Sequence, residues 1–65
     1  MQQRSEETRA KIISSAIKLF STRGFNTASV DDICKDAEIS KGAFYHHFES
    51  KQALFLALLD GWLET

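Results

Sequence analysis

Ser40-Lys41-Gly42-Ala43-Phe44-Tyr45-His46-His47-Phe48 packs a glycine, a tyrosine, two histidines and two phenylalanines into about two helical turns. Ser40 is a residue that caps helices, and Ile39 before it can staple onto Phe44 at the fourth helical position. Phe44 and Phe48 stand four apart and share one face, so Lys41, Gly42, Tyr45 and His46 face elsewhere. A solvated surface helix favours Glu, Lys, Gln or Ala, and glycine in a helix interior costs about 0.8–1 kcal/mol. Two explanations fit Gly42. It lies in the first turn, where that cost is smaller, or it lets the start of the helix approach a ligand closely. In the second reading the first-turn N–H groups point at an anion. Lys41 and Ser40 add donors at the same end, and Tyr45, His47 and Lys51 add donors further along, a mix suited to phosphate.

Three further helices flank this one. Upstream, Ser29 is an N-cap with Asp32 three residues on, a capping-box pattern. Val30, Ile33, Cys34 and Ala37 then give an apolar face at helical spacing. Further upstream, Ile13, Ala16, Ile17 and Phe20 recur at i, i+3, i+4 and i+7, with Ile12 and Leu19 widening the stripe. Ser5 is placed to cap this first helix, and Gly24 to end it in the left-handed conformation with Phe25 folding back on the last turn. Downstream, Ser50 caps a helix from Lys51 to about Leu63. Strand alternation is absent. The expected fold is all-α, a three-helix bundle with a helix-turn-helix, followed by the start of a fourth, linking helix.

The 65 residues allow one small domain, which buries only about 60% of its unfolded surface. A composition 43% hydrophobic and 26% charged is that of a folded chain, and one cysteine excludes a disulfide framework or a multi-Cys zinc site. A polar start and the lack of a long apolar run point to a cytoplasmic protein with no membrane span. The net charge of −1 excludes only a globally basic nucleic-acid binder, since a local patch can bind phosphate on a neutral chain. His46 and His47 diverge by about 100° on a helix, unlike an i, i+4 metal pair. Asp31 and Asp32 diverge likewise, and Cys34 has no base placed to activate it. No metal, cofactor or enzymatic activity is expected.

Gly24-Phe25-Asn26-Thr27-Ala28-Ser29-Val30-Asp31-Asp32-Ile33 and Ser40 to Lys51 resemble the TetR family of bacterial transcriptional regulators, with the match running from about Thr8 to Leu59. The resemblance implies that residues 1–50 form a helix-turn-helix DNA-binding head. It implies that residues 51–65 begin a fourth helix, which leads to a further domain that dimerises and binds a small-molecule effector. It implies that the third helix enters the major groove of a double-stranded operator bound by a homodimer. By position, Lys41, Gly42, Ala43 and His46 would face bases, and Thr27, Ser29, Ser40, Tyr45, His47 and Lys51 would hold phosphates. The family often has Ala then Gly before the turn, whereas this chain has Ala37 then Glu38.

A ligand-responsive repressor is the reading these features favour. An activator sharing the helix-turn-helix is one alternative. A helical protein-interaction module is another, favoured by the neutral charge and by the fourth helix. From Leu54, at about 100° per residue, Leu58, Trp62, Phe55, Leu59, Leu63 and Leu56 spread over about 200°. That is about twice the stripe needed to cover one small core. Half of it is therefore expected to lack a partner within these residues.

Overall fold

The computed structural model describes the backbone of residues 2–64 and the side-chain surroundings of residues 6–60. Four helices follow one another, α1 (Gln2–Arg23), α2 (Val30–Ala37), α3 (Lys41–His47) and α4 (Lys51–Glu64). No strand occurs among the described residues. The all-α expectation holds.

The helix boundaries follow the capping residues with one exception. Ser29 adopts extended backbone and accepts from the Asp32 N–H at 3.1 Å, while its own N–H donates to the Asp32 carboxylate at 3.1 Å, a complete capping box. That backbone N–H, then the hydroxyl, hold the Asp32 carboxyl below its ordinary range. The Ser40 hydroxyl accepts from the Ala43 N–H and the Ser50 hydroxyl from the Ala53 N–H, each at 3.0 Å. Gly24 ends α1 at φ 90°, and Phe25 returns onto Phe20 with ring centroids 5.3 Å apart. The exception is Ser5, which lies inside α1 and does not begin it. Gln2, Gln3 and Arg4 are good helix formers and carry the helix on to Gln2. The Ser5 side chain lies outside the described residues.

The core is one cluster of Ile12, Ala16, Leu19, Ala28, Ile33, Cys34, Phe44, Phe48 and Leu54. α1 supplies Ile12, Ala16 and Leu19 at i, i+4 and i+7, which is the stripe one residue back from the one its spacing favoured. Ile13 and Phe20 pack at the edge of the cluster, and Ile17 is 42% exposed. Ser15 is also buried, with its hydroxyl bonded to Asp36 of α2. From α2, Ile33, Cys34 and Ala37 are buried as their spacing indicates, and burial pushes the Cys34 thiol pKa up. Phe44 and Phe48 seat α3, and Leu54 of α4 is fully buried.

The turn between α2 and α3 is made without glycine. Glu38 itself takes the left-handed conformation, φ 61° and ψ 47°. Its N–H donates back to Cys34 and Lys35, and the Ile39 N–H reaches the Cys34 carbonyl at 3.0 Å. Ile39 then packs on the core. The turn is thus fixed by backbone bonds and an apolar anchor that together impose an unfavourable conformation on Glu38. A non-glycine residue there costs about 1–2 kcal/mol, of which glycine returns part through its more flexible unfolded state. Glu38→Gly is expected to raise stability by about 0.5–1 kcal/mol in urea denaturation. An unchanged or lower midpoint would show that Glu38 carries a compensating contact.

Candidate nucleic-acid interface

α3 is held by its apolar side and presents the other. Phe44 and Phe48 are buried with ring centroids 6.1 Å apart, so Gly42 and His46 lie on the opposite, exposed face with Tyr45 at its flank, while Lys41 is exposed at the start of the helix. Tyr45 is 50% exposed and its ring meets Phe44 edge-on at 5.1 Å. Ala43 and His47 are half-buried at the margins of this face. The first turn of α3 is less open to an anion than the sequence implied, because Ser40 already takes the Ala43 N–H. The hydroxyl proton of Ser40 is not used in its capping bond, in which the oxygen accepts, whereas the Ser29 hydroxyl also faces the Asp32 carboxylate. Thr27, Ser29 and Ser40 are all exposed.

Gly42 has an ordinary backbone conformation, and a Cβ placed there would meet only the Ser40 Oγ, at 3.7 Å. Nothing inside the protein requires glycine at this position. What the missing Cβ leaves open is the outer face.

Lys51 is the site residue whose surroundings differ most from expectation. It lies at the start of α4, half-buried, and its ammonium donates to the carbonyls of Phe25 and Ala28 in the α1–α2 connection. The ammonium also sits 4.3 Å from the centre of the Phe25 ring. Two of its three N–H donors are therefore committed to the protein. Lys51 ties α4 to the loop that carries Thr27, a role invisible in the sequence because these residues are far apart along the chain.

Two residues of other helices, Asp31 and Arg9, border α3. Lys41 forms an ion pair with Asp31 of α2, Nζ to Oδ1 2.7 Å, and this hydrogen bond and charge push the Lys41 pKa up. Arg9 of α1 lies over the Phe48 ring at 5.2 Å, which brings a cation to the C-terminal end of α3. Arg9 stands on the exposed side of α1, where nothing in the sequence distinguishes it from Lys11 or Lys18. The remaining ion pairs, Lys18–Asp36 at 2.6 Å and Arg23–Asp32 at 3.3 Å, join α1 to α2.

On the far side, Ile17, Phe20, Ser21, Phe55, Leu58 and Leu59 line an apolar groove of about 200 Å³ between α1 and α4. Leu56 and Leu59 are 60% and 42% exposed, while Ala57 and Leu58 are half-buried against the core, which matches a helix with one covered and one uncovered half. Trp62 and Leu63 lie outside the residues whose side chains are described. No helix among the described residues is long and apolar enough to cross a membrane.

A helix-turn-helix with a core-anchored second helix and an exposed polar face is the architecture of a DNA-reading regulator head. Residues 12–58 match the family described as bacterial regulatory proteins, tetR family, and the chain belongs to that family. It is 49% identical over 55 residues to the uncharacterised HTH-type transcriptional regulator YuxN of Bacillus subtilis, covering 85% of this chain and 19% of that protein. It is 46% identical over 59 residues to the HTH-type transcriptional regulator UidR of Escherichia coli K12, covering 91% of this chain and 30% of that protein. The biofilm operon icaADBC HTH-type negative transcriptional regulator IcaR of Staphylococcus aureus is 44% identical over 45 residues, 69% of this chain and 24% of its own length. The chain thus spans a third or less of these relatives. No solved structure matches it significantly.

The Lys51 tie predicts a cost that a surface lysine would not show. Hydrogen bonds to charged groups contribute about 1.5–3 kcal/mol, whereas surface substitutions stay within about 0.5 kcal/mol. Lys51→Met, which keeps the length of the side chain, is expected to destabilise the fold by about 1–3 kcal/mol in thermal or urea unfolding. A loss within the surface range would mean that the tie contributes little.

Proposed function

We propose that this chain is the operator-reading head of a transcriptional repressor, with α3 laid in the major groove. One observation supports this most. The face of α3 opposite Phe44 and Phe48 carries Gly42 and His46 in the open, with Lys41 exposed at the N-terminal end of the helix, where a groove would meet them. Lys41, Gly42, Ala43 and His46 then read base edges. Thr27, Ser29, Ser40, Tyr45 and His47 hold phosphates on either side. Lys51 contributes its remaining donor and, through its tie to the loop, the position of Thr27. The chain works by binding, with no bond made or broken. One relative, the icaADBC regulator IcaR, is a negative transcriptional regulator.

We propose further that the protein acts in the cytoplasm as a homodimer on a palindromic site and that a small-molecule effector alters the separation of two heads. In that reading residues 1–50 are the head and residues 51–65 the start of the connection to the dimerising, effector-binding domain. The uncovered half of α4 supports it, since an exposed apolar patch of this kind marks a contact surface.

Base-reading and phosphate-holding residues separate in one experiment. On duplexes differing by single base pairs, Lys41→Ala and His46→Ala are expected to change preference at one position each, by about 1–3 kcal/mol. Tyr45→Phe is expected to weaken all duplexes alike. If Lys41→Ala and His46→Ala lower every affinity equally, these residues do not read bases. Gly42→Ala tests the approach of the helix itself. Alanine is the better helix former and its Cβ has room, so the melting temperature is expected to hold or rise while DNA affinity falls. Unchanged affinity would place Gly42 away from the duplex.

A further inference from the structure

Asp31 has no task in the fold that its neighbours do not already perform. Asp32 makes the capping box with Ser29 and pairs with Arg23, and Asp36 is held by Lys18 and Ser15. Asp31 instead reaches across the turn to Lys41, the first residue of α3, with the side chains 59% and 62% exposed. Among the ion pairs of the described residues, this one joins the two helices of the helix-turn-helix, and it stands on the face proposed for DNA. An acid on such a face opposes phosphate unless it serves another purpose.

We propose that Asp31 is a specificity-determining residue that aims the Lys41 ammonium and, with it, reads one G·C pair of the operator. The inference rests on the base-facing assignment of Lys41. Of the three N–H donors of Lys41, one is engaged by Asp31 Oδ1, which leaves two for a base on this exposed side chain. Guanine offers O6 and N7 as acceptors in the major groove, and the cytosine paired with it offers its N4 amine as a donor beside them. A lysine and a carboxylate 2.7 Å apart present the complementary order, donors for guanine and an acceptor for cytosine. The pair is also neutral as a unit. Lys41 held in this way adds little to sequence-independent attraction, because an ammonium already matched by a carboxylate releases few counterions on meeting phosphate. Asp31 therefore converts a lysine that would grip any duplex into one that selects.

The test uses duplexes that the wild-type protein selects from a random pool, together with their single-base-pair variants and an unrelated duplex. Affinities are measured at several salt concentrations for the wild type, Asp31→Asn, Lys41→Ala and the double variant, with a melting curve for each. Asp31→Asn is expected to tighten the unrelated duplex and to steepen the dependence of log affinity on log salt by about one unit. It is expected to reduce by about tenfold the preference for one G·C pair, the same pair whose preference Lys41→Ala abolishes. In the Lys41→Ala background, the Asp31 change is expected to add nothing to the loss of preference. Asp31→Glu is expected to restore part of it. If Lys41→Ala shifts one position and Asp31→Asn shifts neither preference nor salt slope, the inference falls while the base-reading assignment stands. If Lys41→Ala shifts no position, both fall. An Asp31 effect of equal size with and without Lys41 also overturns the inference, since it would not act through the lysine.

Discussion

The seating of Phe44 and Phe48 in the core is the contact on which the orientation of the whole site depends. A seven-residue helix has too few internal bonds to be stable alone, so α3 exists because its apolar side is buried in the core cluster that α1 and α2 also supply. Once those two rings are inside, helical geometry turns Gly42 and His46 outward with Tyr45 at their flank, while Lys41, three residues before Phe44, is exposed at the N-terminal edge beside Asp31 of α2. The turn before α3 serves the same end. Ile39 anchors it and the bonds back to Cys34 close it, so that Glu38 is carried into a conformation it would not choose. The bundle spends its local strain at the residue that sets the angle between α2 and α3.

Charge is arranged with comparable economy. A chain of net charge −1 cannot attract DNA as a whole, and two of its acids are engaged where they strengthen the scaffold. Asp32 caps α2 and meets Arg23, while Asp36 meets Lys18 and Ser15, so these acids are matched by neighbouring donors. Lys51 lies at the junction of head and fourth helix, where its ammonium holds the carbonyls of Phe25 and Ala28 and sits over the ring of Phe25, which clusters with Phe20 and Phe55. A displacement of α4 would pull on the loop bearing Thr27 and Ser29.

Much of this was legible in the sequence because it is local. Ser29, Ser40 and Ser50 announce three helix starts through bonds that span three residues, and Gly24 announces an end. The apolar spacing of α2 and the Phe44–Phe48 pair fix which sides face inward. What escaped was non-local. In α1 two stripes one residue apart, through Ile12 and through Ile13, both have helical spacing, and only the packing of α2 and α3 selects the first. Ser15 reads as a surface serine until Asp36 arrives from another helix. The Lys51 tie spans more than twenty residues, and Lys41 and Asp31 meet only once the turn has folded. The site was therefore visible as a list of exposed donors, while the contacts that aim those donors were not.

The central claim is that DNA meets the open face of α3 and the loop before α2. Amide chemical-shift mapping of the isotopically labelled chain during titration with duplex DNA tests it most directly. The shifts are predicted to concentrate at residues 27–29 and 40–47, to weaken as salt rises, and to leave Ile17, Leu56 and Leu59 unmoved. Shifts centred on the groove between α1 and α4, with residues 40–47 silent, would contradict it.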